Sequence, residues 1–220
     1  MNSKKFVDNY IIAEAGLKLS ALVDFSIHNG KAGLEMLAGI PGSLGGALIM
    51  NASAYGGSIS DHLYDVEVYK NGEVKRYKKD EIYFSYRHSS LLGSIILEAS
   101  FKLPDGDIEE ISERKKTLLE QRRINQPVNY PSAGCIFRNP FDHHAGVLVQ
   151  EAGLKGMKIG GAEVSALHGN FIINTGDAKA NDVIELINVI KDRIKIKNDI
   201  DLDIEVKLIG FKDNPFKNDE

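Results

Sequence analysis

A short segment in the second half of the chain reads Pro131-Ser132-Ala133-Gly134-Cys135-Ile136-Phe137-Arg138-Asn139-Pro140. It contains the single cysteine of the chain, placed between a turn of small residues and an apolar pair. A thiol in such a turn, followed by Arg138 and Asn139, is suited to act as a nucleophile or as a proton donor. The alternative is a small residue that fills a gap where a turn meets a strand, because free cysteine is usually buried and apolar. Position alone favours this structural interpretation of Cys135.

The composition is that of an ordinary globular protein. The 220 residues suffice for one large domain or two small ones, and 43% apolar with 26% charged residues are normal proportions. The net charge of −4 argues against nucleic-acid binding, and a single cysteine suits a reducing compartment. The sequence shows no signal peptide and no run of about 18 apolar residues. We therefore expect a cytoplasmic protein.

The first part of the chain leads into two runs of small residues. After a polar lead-in, residues 10–14 predict a strand and residues 17–29 a helix that ends at Asn29-Gly30. Residues 38–47 hold four glycines, a proline and a serine, too many for a packed element. A second run of small residues follows over 49–57. One glycine-rich run can be a plain loop, but glycine lets backbone approach a ligand closely, so two runs in succession suggest the wall of a flat cofactor site.

The middle of the chain reads as a hairpin, a strand and a helix. Alternating residues over 63–77, interrupted by Asn71-Gly72, predict a β-hairpin. Residues 95–101 predict a strand, and residues 107–124 a helix capped by Asp105 or Asp107 and ended by Gln126-Pro127. Between them, Arg87 is either a surface cation or, beside Tyr86 and two serines, a clamp for a carboxylate.

The last part of the chain adds further helices and strands. Residues 145–156 predict a helix ended by glycine, and residues 162–165 and 168–174 predict strands. His168 by itself is more often structural than functional. Thr175 or Asp177 caps a final predicted helix, and residues 204–210 predict a closing strand with Glu205 and Lys207 on one face. Helices and strands mix without regular βαβ alternation, so the predicted class is α+β.

Taken together, several of these segments resemble the UDP-N-acetylenolpyruvoylglucosamine reductase (MurB) family. Any one of them is weak evidence, but their order along the chain is specific. They cover the sequence from about residue 10 to residue 210. The matching pieces are residues 33–35, 38–47, 50–52, 54–56, 86–89, 131–140, 152–156, 160–162, 164–165, 168, 170–171 and 205–210.

The resemblance implies a fold in two parts. Residues 1–124 are expected to be the C-terminal part of an FAD-binding (PCMH-like) domain, and residues 125–198 a substrate-binding α+β domain. Residues 199–212 are expected to hold the last strand with Glu205, and residues 213–220 a flexible tail. The family has an N-terminal βαβ FAD subdomain that nothing in this chain matches, so we expect a chain that lacks this part.

The resemblance also implies a two-step reduction in peptidoglycan precursor synthesis. NADPH reduces FAD, and the reduced flavin passes hydride to the enolpyruvyl β-carbon of UDP-N-acetylglucosamine-enolpyruvate. Protonation of the α-carbon then gives UDP-N-acetylmuramate. Such chemistry needs a flat site for the flavin, stabilisation of the carboxylate and an acid beside the α-carbon.

Carried over position by position, the resemblance assigns roles to individual residues. Arg87 falls on the carboxylate-binding arginine, Glu205 on the glutamate that polarises the same carboxylate, and Cys135 on the proton donor. No metal is implied. The implied substrate-binding residues are Tyr86, Arg123, Asn139 and His168. The implied FAD-binding residues are Gly39, Ile40, Pro41, Gly42, Ser43, Gly45, Gly46, Asn51, Ala52 and Tyr55.

Two single residues depart from the commoner family pattern. Cys135 stands where serine is usual, and a thiol is a stronger acid than an alcohol, so the implied proton-donating role survives. The thiol also makes this position open to oxidation. Ser53 stands where glycine is usual.

Three functions are compatible with these observations. The first is the reductase, working as a fragment or with a separately encoded N-terminal FAD subdomain as its partner. The second is a non-catalytic UDP-sugar-binding remnant that has lost FAD. The third is a related FAD oxidase with another substrate, against which residues 131–140 and Glu205 argue.

Overall fold

Two hydrophobic cores organise the computed structural model, which describes residues 1–216. The chain separates into two compact units, Met1–Gln121 and Arg122–Glu220. The boundary expected from the sequence, between residues 124 and 125, stays a prediction.

A five-stranded antiparallel sheet forms the frame of the first unit, in the spatial order β1 (Lys4–Val7), β2 (Tyr10–Glu14), β9 (Ile95–Phe101), β5 (Leu63–Lys70) and β6 (Glu73–Lys78). The predicted strands at residues 10–14 and 95–101 are confirmed. The predicted hairpin is confirmed as well, because Asn71 and Gly72 have φ angles of 53° and 86° and Lys70 pairs with Glu73. The other strands of this unit are β3 (Ser53–Ala54), β4 (Gly57–Ser58), β7 (Phe84–Ser85) and β8 (His88–Ser89).

Strand β1 lies where the sequence suggests only a polar lead-in. Asp8 and Asn9 adopt left-handed backbone conformations, with φ angles of 48° and 68°, and this turn pairs Val7 with Tyr10. Asp and Asn tolerate positive φ better than other residues that carry a Cβ atom. The turn chemistry therefore produces a strand that the apolar pattern does not reveal.

The helices of the first unit contribute to the same core as the sheet. Helix α1 (Leu19–His28) ends at Asn29 and Gly30 as predicted. Asp107 precedes helix α3 (Ile108–Asn125), and its Oδ1 accepts hydrogen bonds from the N–H groups of Glu109 and Glu110 at 2.9 and 3.0 Å. The predicted cap is thus confirmed. Buried members of this core include Ile11, Leu19, Leu22, Val23, Leu34, Leu44, Leu48, Val66, Val68, Ala99, Phe101 and Ile111.

Helix α2 (Leu44–Ile49) begins inside the glycine-rich run, so the prediction that this run contains no packed element is wrong. Ser43 caps the helix, since its Oγ accepts a hydrogen bond from the N–H of Gly46 at 3.3 Å. A Cβ atom on Gly45 would lie 3.1 Å from Ala15 Cβ. Glycine therefore serves here to bring the helix close to the chain that follows β2.

The second unit contains a four-stranded antiparallel sheet with the order β10-β13-β12-β11. The predicted helix over 145–156 is confirmed in its first half, and the strands predicted at 162–165 and 168–174 are shorter than expected. The elements are β10 (Ser132–Cys135), α4 (Ala145–Glu151), β11 (Lys158–Ile159), β12 (Ala162–Val164), β13 (Phe171–Asn174) and α5 (Ala180–Asn198). Their core includes Ile136, Phe137, Leu148, Val149, Val164, Ile172, Leu186, Ile187, Ile190 and Ile194.

The start of helix α5 differs from the prediction that Thr175 or Asp177 caps it. Lys179 occupies the N-cap position, and its backbone N–H donates to Asp182 Oδ2 at 2.9 Å. The hydroxyl of Thr175 instead donates to the carbonyl oxygen of Gly161 at 2.9 Å. The helix therefore starts later than the sequence suggests, because a carboxylate from its own first turn satisfies the N-terminus.

The predicted closing strand over residues 204–210 is reduced to a single bridge between Phe137 and Ile204. Continuing that ladder would require pairing with residues before Ile136, where β10 carries a bulge. Gly134 has a φ angle of 84° in this bulge. A bulge breaks the regular spacing of ladder hydrogen bonds, so the pairing stops. Ile204, Val206 and Leu208 still pack against the second core as the alternation predicts.

The predicted flexible tail over 213–220 is only partly covered by the described residues. Phe216 is 9% exposed and belongs to the second core, and Asn188 donates to the carbonyl oxygen of Pro215 at 3.4 Å. Phe216 is therefore packed, Asp213 and Asn214 are exposed, and residues 217–220 lie outside the described residues, so the flexible tail stays a prediction. Within residues 1–216, no helix is both long and apolar enough to cross a membrane.

Candidate active site

The glycine-rich run is anchored to the start of helix α1 by a backbone hydrogen bond. The carbonyl oxygen of Gly42 accepts a hydrogen bond from the N–H of Leu19 at 3.0 Å. Gly39 and Gly42 have φ angles of 79° and 126°, conformations that favour glycine. A Cβ atom on Gly42 would meet no atom within 4 Å. The run thus presents open backbone at Gly42, next to the predicted FAD residues Ile40, Pro41, Ser43, Gly45 and Gly46.

The second run of small residues continues the same surface and contains an unsatisfied polar atom. Asn51 and Tyr55 both have left-handed backbones, with φ angles of 44° and 51°. Asn51 Nδ2 donates to the carbonyl oxygen of Ser85 at 3.1 Å, and Tyr55 Oη donates to that of Leu118 at 3.1 Å. Within the described residues, the buried Oδ1 of Asn51 has no hydrogen-bond partner. A buried acceptor of this kind is a suitable contact for a ligand N–H.

Small residues along this surface also allow close packing within the first unit. A Cβ atom added at Gly57 would lie 2.8 Å from Met36 Cβ, so glycine is needed for the hairpin β3–β4 to sit on the chain at Met36. Ala52 packs against the first core, and its N–H donates to the carbonyl oxygen of Ala47 at 2.8 Å. Small residues and the Asn51 acceptor are both appropriate to the wall of a planar ring. The residues present therefore fit the predicted cofactor.

The turn of the hairpin β7–β8 holds Arg87 in a defined place. Arg87 is half-buried and has a left-handed backbone, with a φ angle of 55°. Its guanidinium carbon lies 4.9 Å from the centre of the Tyr86 ring, a cation–π contact. Its Nη1 donates to Ser53 Oγ at 3.1 Å. The first unit thus brings together Tyr86, Arg87 and the Asn51–Ser53 segment.

Cys135 lies at the end of β10, directly after the bulge at Gly134. It pairs across the sheet with Phe171 and is half-buried. Partial burial at the end of a strand is compatible with both interpretations of Cys135, the structural one and the proton donor, so both stay predictions. The bulge turns the backbone just before the thiol, which is how bulges re-aim side chains near active sites.

Asn170 holds the chain on the C-terminal side of Cys135. It is 3% exposed, its Oδ1 accepts from the N–H of Phe137 at 2.9 Å and its Nδ2 donates to the carbonyl oxygen of Phe137 at 2.8 Å. The N–H of Glu205 donates to the carbonyl oxygen of Ile136 at 2.8 Å. The second unit therefore brings the backbones of Cys135 and Glu205 to neighbouring positions.

His168 is tied to the same cluster through its ring nitrogen. The N–H of Asn170 donates to His168 Nδ1 at 3.2 Å, which assigns the ring hydrogen of the neutral imidazole to Nε2. Burial lowers the pKa of His168 below its ordinary value, and the positive charge of Lys155 lowers it further. A Cβ atom on Gly146 would lie 3.1 Å from His168 Cε1. His168 is therefore a neutral hydrogen-bond donor in a closely packed place.

The remaining predicted substrate residues are less constrained. Asn139 is exposed, and its Oδ1 accepts from the N–H of Ala145 at 3.1 Å, so it supports the start of α4. Arg123 is exposed in the last turns of α3. Their roles in binding substrate stay predictions.

Sequence reasoning did not assign a site role to Ser53 or Asn170. The sequence signal for Ser53 is that serine stands where glycine is usual in the family. Asn170 stands among small and apolar neighbours at the start of β13, and an amide in such a place signals a buried backbone contact.

Known proteins match both parts of the chain. Residues 126–209 match the family described as "UDP-N-acetylenolpyruvoylglucosamine reductase, C-terminal domain". Residues 1–77 match the family described as "FAD binding domain". With the mixed helices and strands of the structure, these matches confirm the predicted α+β class.

Individual relatives carry the same name. The UDP-N-acetylenolpyruvoylglucosamine reductase of Clostridium tetani (strain Massachusetts / E88) is 45% identical over 213 residues, which are 96% of this chain and 69% of the relative. That of Lactobacillus helveticus (strain DPC 4571) is 44% identical over 209 residues, 94% and 70% of the two chains. The crystal structure of UDP-N-acetylenolpyruvylglucosamine reductase (MurB) from Thermus caldophilus matches with a TM-score of 0.79 and 40% identity, over 88% of this chain and 71% of that one.

Proposed function

The chain belongs to the UDP-N-acetylenolpyruvoylglucosamine reductase family of FAD oxidoreductases, which serve peptidoglycan precursor synthesis and use FAD and NADPH, and from this premise we propose its reaction. The proposed reaction is the NADPH-dependent reduction of UDP-N-acetylglucosamine-enolpyruvate to UDP-N-acetylmuramate. The single cysteine agrees with a proposed cytoplasmic location.

Arg87 is the proposed carboxylate-binding group. A guanidinium binds a carboxylate through two parallel hydrogen bonds, and Arg87 is already oriented by Tyr86 and Ser53. Neutralising the carboxylate stabilises the negative charge that spreads onto it when hydride reaches the β-carbon. Glu205 is proposed to polarise the same carboxylate.

Cys135 is the proposed proton donor to the α-carbon. When bound and reduced by NADPH, FAD would supply the hydride for the β-carbon. A proton from the thiol completes the two-electron reduction of the double bond, and the resulting thiolate takes up a proton from solvent before the next turnover. The observation that supports this role best is the fixed backbone around Cys135. Asn170 binds Phe137 through two hydrogen bonds, and Glu205 binds Ile136 through one.

Other side chains are proposed to bind rather than to react. His168, a neutral donor through Nε2, is proposed to bind the diphosphate and sugar portions of the substrate together with Arg123 and Asn139. Tyr86 is a further proposed substrate-binding residue. Residues 39–46, with Asn51, Ala52 and Tyr55, are proposed to hold the flavin. Asn51 Oδ1 offers the acceptor that the described residues leave unsatisfied.

The test is turnover of the purified chain with FAD, NADPH and UDP-N-acetylglucosamine-enolpyruvate. Formation of UDP-N-acetylmuramate, measured by mass spectrometry alongside NADPH oxidation, supports the proposal. Binding of the UDP-sugar without FAD binding or turnover would identify the non-catalytic remnant instead. Repeating the assay with a separately produced glycine-rich βαβ FAD subdomain tests that proposed partner, since a true partner must raise both FAD affinity and turnover.

A further inference from the structure

We propose that Ser53 is a positioning residue that holds the Arg87 guanidinium in place for the substrate carboxylate. The inference rests on the proposed carboxylate-binding role of Arg87. It extends that role to a residue outside the implied set of binding and catalytic residues.

The contact between the two side chains is direct. Arg87 Nη1 donates to Ser53 Oγ at 3.1 Å, and both residues are half-buried. A guanidinium has five N–H donors in a rigid fork, and this bond uses one of them. The hydroxyl therefore restricts the rotation of the fork while its planar shape remains suited to a carboxylate.

The position of the Ser53 hydroxyl is set by the segments that carry it. Ser53 pairs with Ser58 in the β3–β4 hairpin. The chain just before it is tied to the β7–β8 hairpin by Asn51 Nδ2, which donates to Ser85 O at 3.1 Å, and by Ser89 Oγ, which donates to Ile49 O at 2.9 Å. The serine and the arginine thus sit on two segments that are bound to each other. The backbone that carries each side chain is therefore fixed relative to the other.

Ser53 also makes this chain different from the pattern in which glycine is usual at the same position. Glycine has no side chain, so it offers no side-chain acceptor for a hydrogen bond from Arg87. A long arginine side chain loses considerable rotamer entropy when a ligand fixes it, and a side chain that is already held loses less. We therefore expect carboxylate binding in this chain to depend on the serine.

The experiment measures affinity by calorimetry for two ligands of the full chain, UDP-N-acetylglucosamine-enolpyruvate and UDP-N-acetylglucosamine, which lacks the carboxylate. Ser53→Ala is expected to weaken binding of the first ligand about fivefold, the effect of one hydrogen bond of ordinary net strength. Binding of the second ligand should not change. Ser53→Thr, which keeps the hydroxyl, should restore the wild-type affinity for the first ligand.

A matched control is Ser58→Ala, in the strand paired with Ser53. The Ser58 hydroxyl binds Asp61 at 2.6 Å, so its loss affects the local hairpin rather than Arg87. This variant is expected to leave the ratio of the two affinities unchanged. Arg87→Ala should selectively weaken binding of the carboxylate-bearing ligand, and by a larger factor than Ser53→Ala does.

The outcomes separate the inference from the proposed function. One contrary result is that Arg87→Ala reduces affinity only for the carboxylate-bearing ligand while Ser53→Ala has no effect, or reduces affinity for both ligands equally. In either case the positioning role of Ser53 is overturned and the role of Arg87 stands. If Arg87→Ala is not selective, or the wild-type chain binds neither ligand, the proposed function fails and the inference fails with it.

Discussion

At position 135 the proposed chemistry depends on one sulfur atom. Cys135 follows a bulge, and the backbone of the next two residues is held by hydrogen bonds with Asn170 and Glu205. A proton donor acts only after hydride transfer has placed charge on the substrate, so it is not needed for reduction of the flavin by NADPH. This separation of steps allows the role to be tested directly.

Cys135→Ala is expected to slow substrate reduction by about 100-fold or more, the contribution of a positioned general acid, while flavin reduction by NADPH continues. Cys135→Ser should keep much of the activity because it retains a proton donor. Stopped-flow absorbance of the flavin measures the two half-reactions separately. Loss of both half-reactions in Cys135→Ala, with the protein folded, contradicts the assignment.

Asn170 is a buried amide with a structural task beside the thiol. Asn170→Ala leaves the N–H and the carbonyl oxygen of Phe137 without their partners in a buried place, at a cost of about 3 kcal/mol in the free energy of unfolding. Urea denaturation measures the loss. The control is Asn139→Ala, whose exposed amide makes one such bond to Ala145 and should cost about 1 kcal/mol. If the two variants lost equal free energy of unfolding, the hydrogen bonds of Asn170 would not contribute more to stability than that of Asn139.

At the scale of elements, the sheet of the first unit contains a charge network built around one buried carboxylate. Asp65 in β5 is 4% exposed and accepts hydrogen bonds from Arg76 at 2.9 Å and from Lys78 at 3.0 Å, both in β6. Arg76 also bonds Glu67 at 3.1 Å and Glu98 in β9 at 3.0 Å. Burial alone raises the pKa of Asp65, but hydrogen bonds from Lys78, Ser100 and Arg76 outweigh it and lower the pKa below its ordinary value.

This network gives the sheet a pH-dependent stability. The folded-state pKa of Asp65 lies below the unfolded value near 4, so the ionised carboxylate stabilises the fold above that pH. The contribution is lost as the pH falls through the folded-state pKa. The stability difference between the wild type and Asp65→Asn should therefore be largest near neutral pH and shrink below about pH 4. Urea unfolding at a series of pH values measures this difference.

The matched control for the sheet is Asp80→Asn, because Asp80 is exposed in the same unit. Its effect on the free energy of unfolding should stay small across the pH series. If the difference in free energy of unfolding between the wild type and Asp65→Asn grew as the pH fell, the ionised Asp65 carboxylate would not be the source of this stability.

At the scale of the whole molecule, each unit has its own core and its own set of proposed site residues. The flavin wall and Arg87 belong to the first unit, and Cys135, His168 and Glu205 belong to the second. Cofactor binding by the first unit should therefore appear in the stability of the chain.

FAD is expected to stabilise the folded chain by mass action, by about 2.7 kcal/mol at a concentration 100 times its dissociation constant. The melting temperature should rise with FAD and not with ADP-ribose, which lacks the isoalloxazine ring. Differential scanning fluorimetry with an extrinsic dye, or circular dichroism, measures the shift. An equal shift with ADP-ribose would show that the ring does not contribute to binding, against the proposed wall.

The sequence by itself determined the α+β class, the Asn71-Gly72 turn, the Asp107 cap and the family, because these depend on local turn chemistry, capping and an ordered set of motifs. The tertiary structure decided what depends on partners distant in the chain. It made α2 a packed helix through the contact of Gly45 with Ala15, and stopped the pairing near Ile204 at the bulge before Cys135. It also joined Ser53 to Arg87, 34 residues later in the chain. Local patterns do not encode such contacts, since they form only when the whole backbone has brought the two segments together.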